Sequence, residues 1–172
     1  SALYAPGLNL HRTPSGGRNF EYMSEDTYLG GTIIANLAYG MQNPGGLCAG
    51  VKHFMLNNQE AHRGTVHTYV SEQALRETYA EAWEICFKTF REGGAMGIMG
   101  AYNNIGPEWV GCNYALNTSL LRDEWGYKGY IVSDYFAIDN SNSSWVTTLI
   151  SAHDSLEDKI DWSGRYVDEV FA

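Results

Sequence analysis

The stretch GYKGYIVSDYFAIDN, residues 126–140, sets the reading of the whole chain. Tyr130–Ser133 is a short apolar run after a glycine, the form of a brief buried strand. Asp134 comes directly after it, beside the ring of Tyr135. An Asp in that place is ordinarily a turn residue or a helix N-cap. Whether it is more depends on what the other segments bring beside it.

Working outward, LNTSLLRDEWG (116–126) is predicted as a short helix with Asn117 as its cap and Gly126 at its end. AMGIMGAYN (95–103) reads as a strand. SEQALRETYAEAWEICFKTFREGG (71–94) is the clearest helix, because Leu75, Tyr79, Ala82, Trp83, Cys86 and Phe90 recur at helical spacing. Ser71 is placed to cap it, and Gly93 and Gly94 to stop it. GVKHFML (50–56) is a further strand, and TYLGGTIIANLAYGMQ (27–42) a helix that packs closely through its glycines. HRTPSGGRNFEYMSED (11–26) is a polar, Gly-rich loop, and LYAPGLNL (3–10) holds the first strand and the loop after it. The strands start roughly 30 to 50 residues apart, the size of a βαβ unit with insertions. Strands alternating with helices imply a parallel sheet.

Composition excludes several classes of function. The 172 residues suffice for one ordinary domain with a sizeable core. A net charge of −9 argues against nucleic acid and against an anionic membrane surface. No apolar run approaches the roughly 18 residues of a membrane span. The chain opens on Ser1 with no initiator Met and no signal-like segment, which reads as the start of a processed or truncated chain. Cys48, Cys86 and Cys112 are widely spaced with no CxxC, the pattern of buried thiols rather than a disulfide frame or zinc site. That favours a reducing, cytoplasmic setting over a secreted or periplasmic one.

The polar residues fall at the strand tips. Lys52 and His53 end the second strand, Tyr102 follows the third, Asp134 follows the fourth, and Arg18 lies in the loop after the first. In parallel α/β folds the loops at the C-terminal strand ends build the active site, so these groups are expected to converge. A carboxylate, a Lys, an Arg, a His and aromatic rings suit a ligand rich in hydroxyls, since charged partners make the stronger hydrogen bonds. The expectation is a polyol or sugar site. A Schiff base on Lys52, as in barrel aldolases, would leave Arg18 and the aromatic wall without a role. His11, His62 and His67 share no metal-ligand spacing, and the glycine pairs at 16–17 and 45–46 lack a phosphate-loop frame and read as turns. Trp83 and Trp125 belong to the core by their place on helices, whereas Trp109 is left between core and site wall. Asp123 and Glu124 read as a solvated helix face, and His153 with Asp154 as surface.

Four blocks, GRNFEYMSED, VKHFMLNNQEAHR, GIMGAYNNIG and LLRDEWGYKGYIVSDY, resemble glycoside hydrolase family 3 of the β-glucosidase type, in that family's order and spacing, over residues 3 to about 139. The resemblance implies an α/β fold in which residues 1–172 form one partial (β/α)8 TIM-barrel-type domain. A second, α/β sandwich domain would lie outside this chain. It implies retaining, exo-acting hydrolysis of a β-glucoside or short β-linked oligosaccharide, with a β-xyloside as the alternative, and no metal or organic cofactor. By the same resemblance Asp134 is the catalytic nucleophile. Lys52 and His53 hold hydroxyls of the non-reducing sugar, and Arg18 is the sugar-binding arginine. Met99 and Tyr102 form the wall near the nucleophile, and Tyr135 stands where many members carry a stacking Trp. Asn57, Glu60 and Arg63 form a block that supports the loop.

The chain also departs from that pattern. KHFMLNNQEAHR lacks the Gly-rich Asp-Ser-His block of the N-acetylglucosaminidase branch. A sugar-binding Asp upstream of Leu3 and a Glu acid/base in the second domain are not in this chain, and no motif fixes residues 140–172. A complete barrel takes about 250 residues, rarely under 200. Retaining hydrolysis uses two carboxyl groups about 5 to 5.5 Å apart, and the chain offers one. The expectation is the nucleophile-bearing part of an enzyme whose other strands and acid/base come from elsewhere, or a chain that associates with itself through open sheet edges. A non-catalytic sugar-binding module is the alternative.

Overall fold

The computed structural model describes residues 1–43, 45–89 and 97–137. Along the chain the strands are β1 (Ala2–Leu3), β2 (Cys48–Phe54), β3 (His67–Thr68), β4 (Gly97–Gly100), β5 (Asn104–Ile105), β6 (Glu108–Trp109) and β7 (Tyr130–Ser133). The helices are α1 (Thr27–Gln42), α2 (72–89) and α3 (Ala115–Glu124). β1, β2, β4 and β7 form one sheet in that order, every pairing parallel. The expected βα alternation is therefore present, as part of a TIM-barrel-like fold whose sheet is open among the described residues.

Burial explains why these segments are strands. β4 is buried at every position and β2 at five of seven, as expected where helices cover a parallel sheet. Val51 pairs with Ile98 and Ile98 with Ile131, so three β-branched side chains cross the sheet in one row. Phe54 meets Trp83 of α2 edge to face at 5.0 Å, and Phe87 lies 4.8 Å from Tyr127. α1 covers the same layer with Ile34, Ala35 and Ala38, all fully buried.

Local chemistry sets most helix starts. The Asp26 carboxylate accepts from the Leu29 N–H at 2.7 Å, and the Ser71 hydroxyl accepts from the Ala74 N–H at 3.2 Å. The close approach of α1 to α2 rests on Gly31, where a Cβ would lie 2.7 Å from the Ala82 carbonyl oxygen. Gly40, on the same helix, has open space around it, so its role is not packing. The middle of α2, Leu75–Ala80, and all of α3 are wound in the wider π form.

One reading of the sequence needs correction, and two points that it left open are settled. Asn117 is not the cap of α3: the Asn113 side chain accepts from the Leu116 N–H at 3.0 Å, one turn earlier. Asn117 is buried inside the helix, and its amide donates to the Val110 carbonyl at 2.7 Å. Trp109 does not line the site: it is buried in the core, with its indole N–H given to the Ala101 carbonyl at 3.0 Å. Finally, β3, β5 and β6 make a small second sheet inside segments to which the sequence assigns no element, from strands of two residues each, too short for any periodicity to show. Trp83 and Trp125 are core residues, and Asp123 and Glu124 are exposed. The three thiols are free, but only Cys86 is buried; Cys48 and Cys112 are half-buried. Phe90, Gly93, Gly94 and the pair His153–Asp154 lie outside the described residues.

Candidate active site

The end of β2 is where the fold departs from regularity. Lys52 pairs with Met99, but the register then shifts so that Phe54 pairs with Gly100, leaving His53 opposite no residue of β4. Such a bulge re-aims a side chain. Asn9, from the loop after β1, takes the place of the lost ladder partner. Its side-chain oxygen accepts from the His53 N–H at 2.9 Å, and its amide donates to the His53 carbonyl at 3.0 Å. The Lys52–His53 and Phe54–Met55 peptide bonds are cis.

β7 ends at Ser133, opposite Gly100, so Asp134 leaves the sheet at the same end. Asp134 does open a turn, since its carbonyl accepts from the Ala137 N–H at 3.0 Å. Its Oδ1 accepts from the Tyr135 N–H at 2.7 Å. Its Oδ2 lies 3.5 Å from Nε2 of His53. The turn role and a functional role are therefore compatible, because each uses different atoms.

These residues surround one cavity of about 700 Å³. Arg18, Lys52, His53 and Asp134 line it, together with Met99, Tyr102 and Tyr135. Arg63 lines it as well, whereas Asn57 and Glu60 stand behind the lining. Ala2, Leu3 and Tyr4 of the first strand segment complete the wall. Tyr102 ties its hydroxyl to the Tyr135 carbonyl, and the Arg63 guanidinium sits 4.3 Å over the Tyr102 ring.

The cations are held by carboxylates. Glu21 binds Arg18 Nε through one oxygen and stands 3.5 Å from Lys52 Nζ through the other. Glu60 accepts from Arg63 at 2.9 Å and from the Asn57 amide at 3.2 Å, and approaches Arg18 at 3.9 Å. Burial pulls the Arg18 pKa down, but the hydrogen bond to Glu21 and the charges of Tyr22, Glu21 and Glu60 raise it further, so the guanidinium stays charged. Burial, then the charges of Arg18, Lys52 and Arg63, push His53 from its ordinary 6.5 down to about 2. The ring is neutral, so its approach to Asp134 is not an ion pair. No group of three or more metal-ligating side chains occurs among the described residues.

Sequence reasoning missed three residues that build this site: Glu21, Tyr22 and Asn9. Glu21 stands three residues after Arg18, a spacing at which an ion pair is a fair expectation, so a signal existed. Tyr22 and Asn9 reach His53 across 31 and 44 residues, and no local pattern marks them.

Comparison with known proteins places this architecture. The profile described as "Glycosyl hydrolase family 3 N terminal domain" matches residues 1–161, well past the last motif legible in the sequence. Beta-glucosidase B of Emericella nidulans is 39% identical over 170 residues, 99% of this chain and 19% of that protein. The thermostable beta-glucosidase B of Acetivibrio thermocellus is 43% identical over 81% of this chain and 18% of its own length. Among solved structures, beta-glucosidase 3B from Thermotoga neapolitana with α-D-glucose superposes with a TM-score of 0.78 at 32% identity, over 99% of this chain and 26% of that one. The Kluyveromyces marxianus enzyme with glucose gives 0.78 at 34% identity, over 99% of this chain and 22% of that one. The chain thus spans only about a fifth to a quarter of the length of these relatives. A profile match over nearly all its residues, with relatives near 40% identity, shows that the chain belongs to glycosyl hydrolase family 3, in its N-terminal domain.

Proposed function

We propose that this chain carries the nucleophile of a retaining, exo-acting β-glucosidase that removes terminal non-reducing β-D-glucosyl residues. The observation that carries this reading is the convergence of Asp134, Arg18, Lys52 and His53 on one cavity at the C-terminal ends of parallel strands. The names of the relatives support it, most of those compared being beta-glucosidases.

In this reading Asp134 attacks the anomeric carbon while the glycosidic oxygen departs, protonated by an acid/base supplied from outside this chain. A glycosyl ester forms on Asp134. Water, deprotonated by the same acid/base, then attacks the anomeric carbon and Asp134 leaves as carboxylate. Arg18, Lys52 and His53 hold the sugar hydroxyls, Met99, Tyr102 and Tyr135 form the wall, and Asn57, Glu60 and Arg63 keep the loop in place.

The experiment is hydrolysis of an aryl β-glucoside by the complete enzyme, followed by proton NMR of the first sugar released. β-Glucose is expected first, and Asp134→Ala lowers kcat/KM by about 10⁴-fold, the scale of a lost nucleophile. α-Glucose first, or an active Asp134→Ala, contradicts the mechanism. A relative of similar identity is named an exo-α-(1→6)-L-arabinopyranosidase. A panel of aryl β-glucoside, β-xyloside and α-L-arabinopyranoside therefore tests the sugar, with the glucoside expected to have the highest kcat/KM.

A further inference from the structure

We propose that Tyr22 is a positioning residue: its hydroxyl oxygen accepts the Nδ1 proton of His53, so that Nε2 keeps its lone pair for Arg18 and gives Asp134 no proton. The placement of the proton follows from contacts alone. Only its kinetic consequence rests on the sugar-site reading above.

Hydrogen positions follow here from valence. A guanidinium has donors and no acceptor. The Arg18 NH1 nitrogen lies 3.0 Å from His53 Nε2, so Nε2 must present its lone pair. A neutral ring then carries its one proton on Nδ1, which lies 3.1 Å from the Tyr22 hydroxyl oxygen. The valence of that oxygen closes on this arrangement. It accepts from His53 Nδ1–H and from the Asn57 amide at 3.4 Å, and gives its own proton to the Asn57 carbonyl at 3.5 Å. The Asn57 amide cannot be turned round, because its nitrogen also faces Glu60 Oε1 at 3.2 Å, and a carboxylate only accepts.

The other proton placements fail on the same contacts. A proton on Nε2 sets one N–H against another at Arg18. A doubly protonated ring keeps that clash, and adds a charge to a residue that is 1% exposed and faces Arg18, Lys52 and Arg63. Tyr22 and Asp134 are the remaining polar side chains against the ring.

One consequence follows for the site. Asp134 Oδ2, 3.5 Å from Nε2, receives no proton from His53 and keeps its lone pairs for an electrophile.

The test is NMR of the complete enzyme labelled with ring-15N histidine, with His53→Gln to assign the signals. In the wild type Nδ1 is expected to be the protonated nitrogen and Nε2 the unprotonated one. Tyr22→Phe keeps the ring that packs against Gly7 and removes only the hydroxyl. It is expected to leave the proton on Nδ1, where Arg18 holds it, but without an acceptor, so that the Nδ1 signal shifts and kcat/KM falls about 10-fold, the scale of one hydrogen bond. Should that variant not fold, a fluorinated tyrosine at position 22 weakens the oxygen as acceptor and shifts the Nδ1 signal. A wild-type proton on Nε2 overturns the proposal, as does an Nδ1 signal unchanged by every change at position 22. The expected pattern in a protein without glycosidase activity overturns the function and leaves the proton placement standing.

Discussion

The two halves of β2 are stabilised by different forces. Ala49 and Val51 sit fully buried in an apolar layer with Trp83 and Ile34, and what holds them is close packing. Lys52 and His53, directly after, sit in a lattice of charges with Arg18, Glu21 and Asp134. Taking such charges out of water is unfavourable, and pairing returns only part of that cost. The strand is thus anchored at one end by close packing and ends, in the proposed function, among groups that bind a ligand. Substitutions should separate the two: core changes should show in stability, rim changes in kinetics.

The largest effect is expected in the apolar layer. Trp83→Ala should lower unfolding free energy by about 3 to 5 kcal/mol in a denaturant titration, since a buried indole leaves a cavity its neighbours cannot fill. A loss below about 1 kcal/mol would show that the layer is not what holds the fold. At the rim, Lys52→Ala should lower kcat/KM of the complete enzyme by about 100-fold, the scale of a hydrogen bond from a charged group, while its stability changes far less than that of Trp83→Ala. A stability loss equal to that of Trp83→Ala would erase the contrast.

Acid titration sharpens the comparison. Folding lowers the pKa of His53 from 6.5 to about 2, so between those values the unfolded chain binds one more proton than the folded one. The stabilisation is complete above about pH 6.5 and is lost as pH falls toward 2. Its slope is up to about 1.4 kcal/mol per pH unit. His53→Gln should remove that part of the acid slope. An identical slope in the variant would mean His53 is not buried as a neutral ring. The smallest effect belongs to the solvent-exposed pairs of Arg76 with Glu72 and Glu124, which join α2 to α3. Arg76→Ala should leave Tm and kinetics nearly unchanged, because water and salt screen such pairs.

The same contrast explains what was legible in the sequence. The bounds of α1, the Ser71 cap and the strand Tyr130–Ser133 were legible because each depends on neighbours a few residues away. Arg18, Lys52, His53 and Asp134 were legible because a parallel fold carries strand tips to one end. The Asn113 cap was hidden because Asn117, four residues on, offers the same chemistry. Trp109 could not be placed because β6, the strand of two residues that carries it, is too short for any periodicity to show. Asn9 and Tyr22 were illegible because their work is done across 44 and 31 residues, through a bulge that no periodicity announces.

The central claim, that Asp134 is the group that attacks the sugar, is tested most directly by trapping. A 2-deoxy-2-fluoro-β-glucoside with a dinitrophenolate leaving group needs no acid to depart, and the fluorine slows breakdown of the ester. Peptide mass spectrometry after labelling the complete enzyme should place the fluoroglucosyl group on Asp134, and Asp134→Ala should take up none. Label on another carboxylate, undiminished in Asp134→Ala, would contradict the account and leave Asp134 only the turn that it opens at the end of β7.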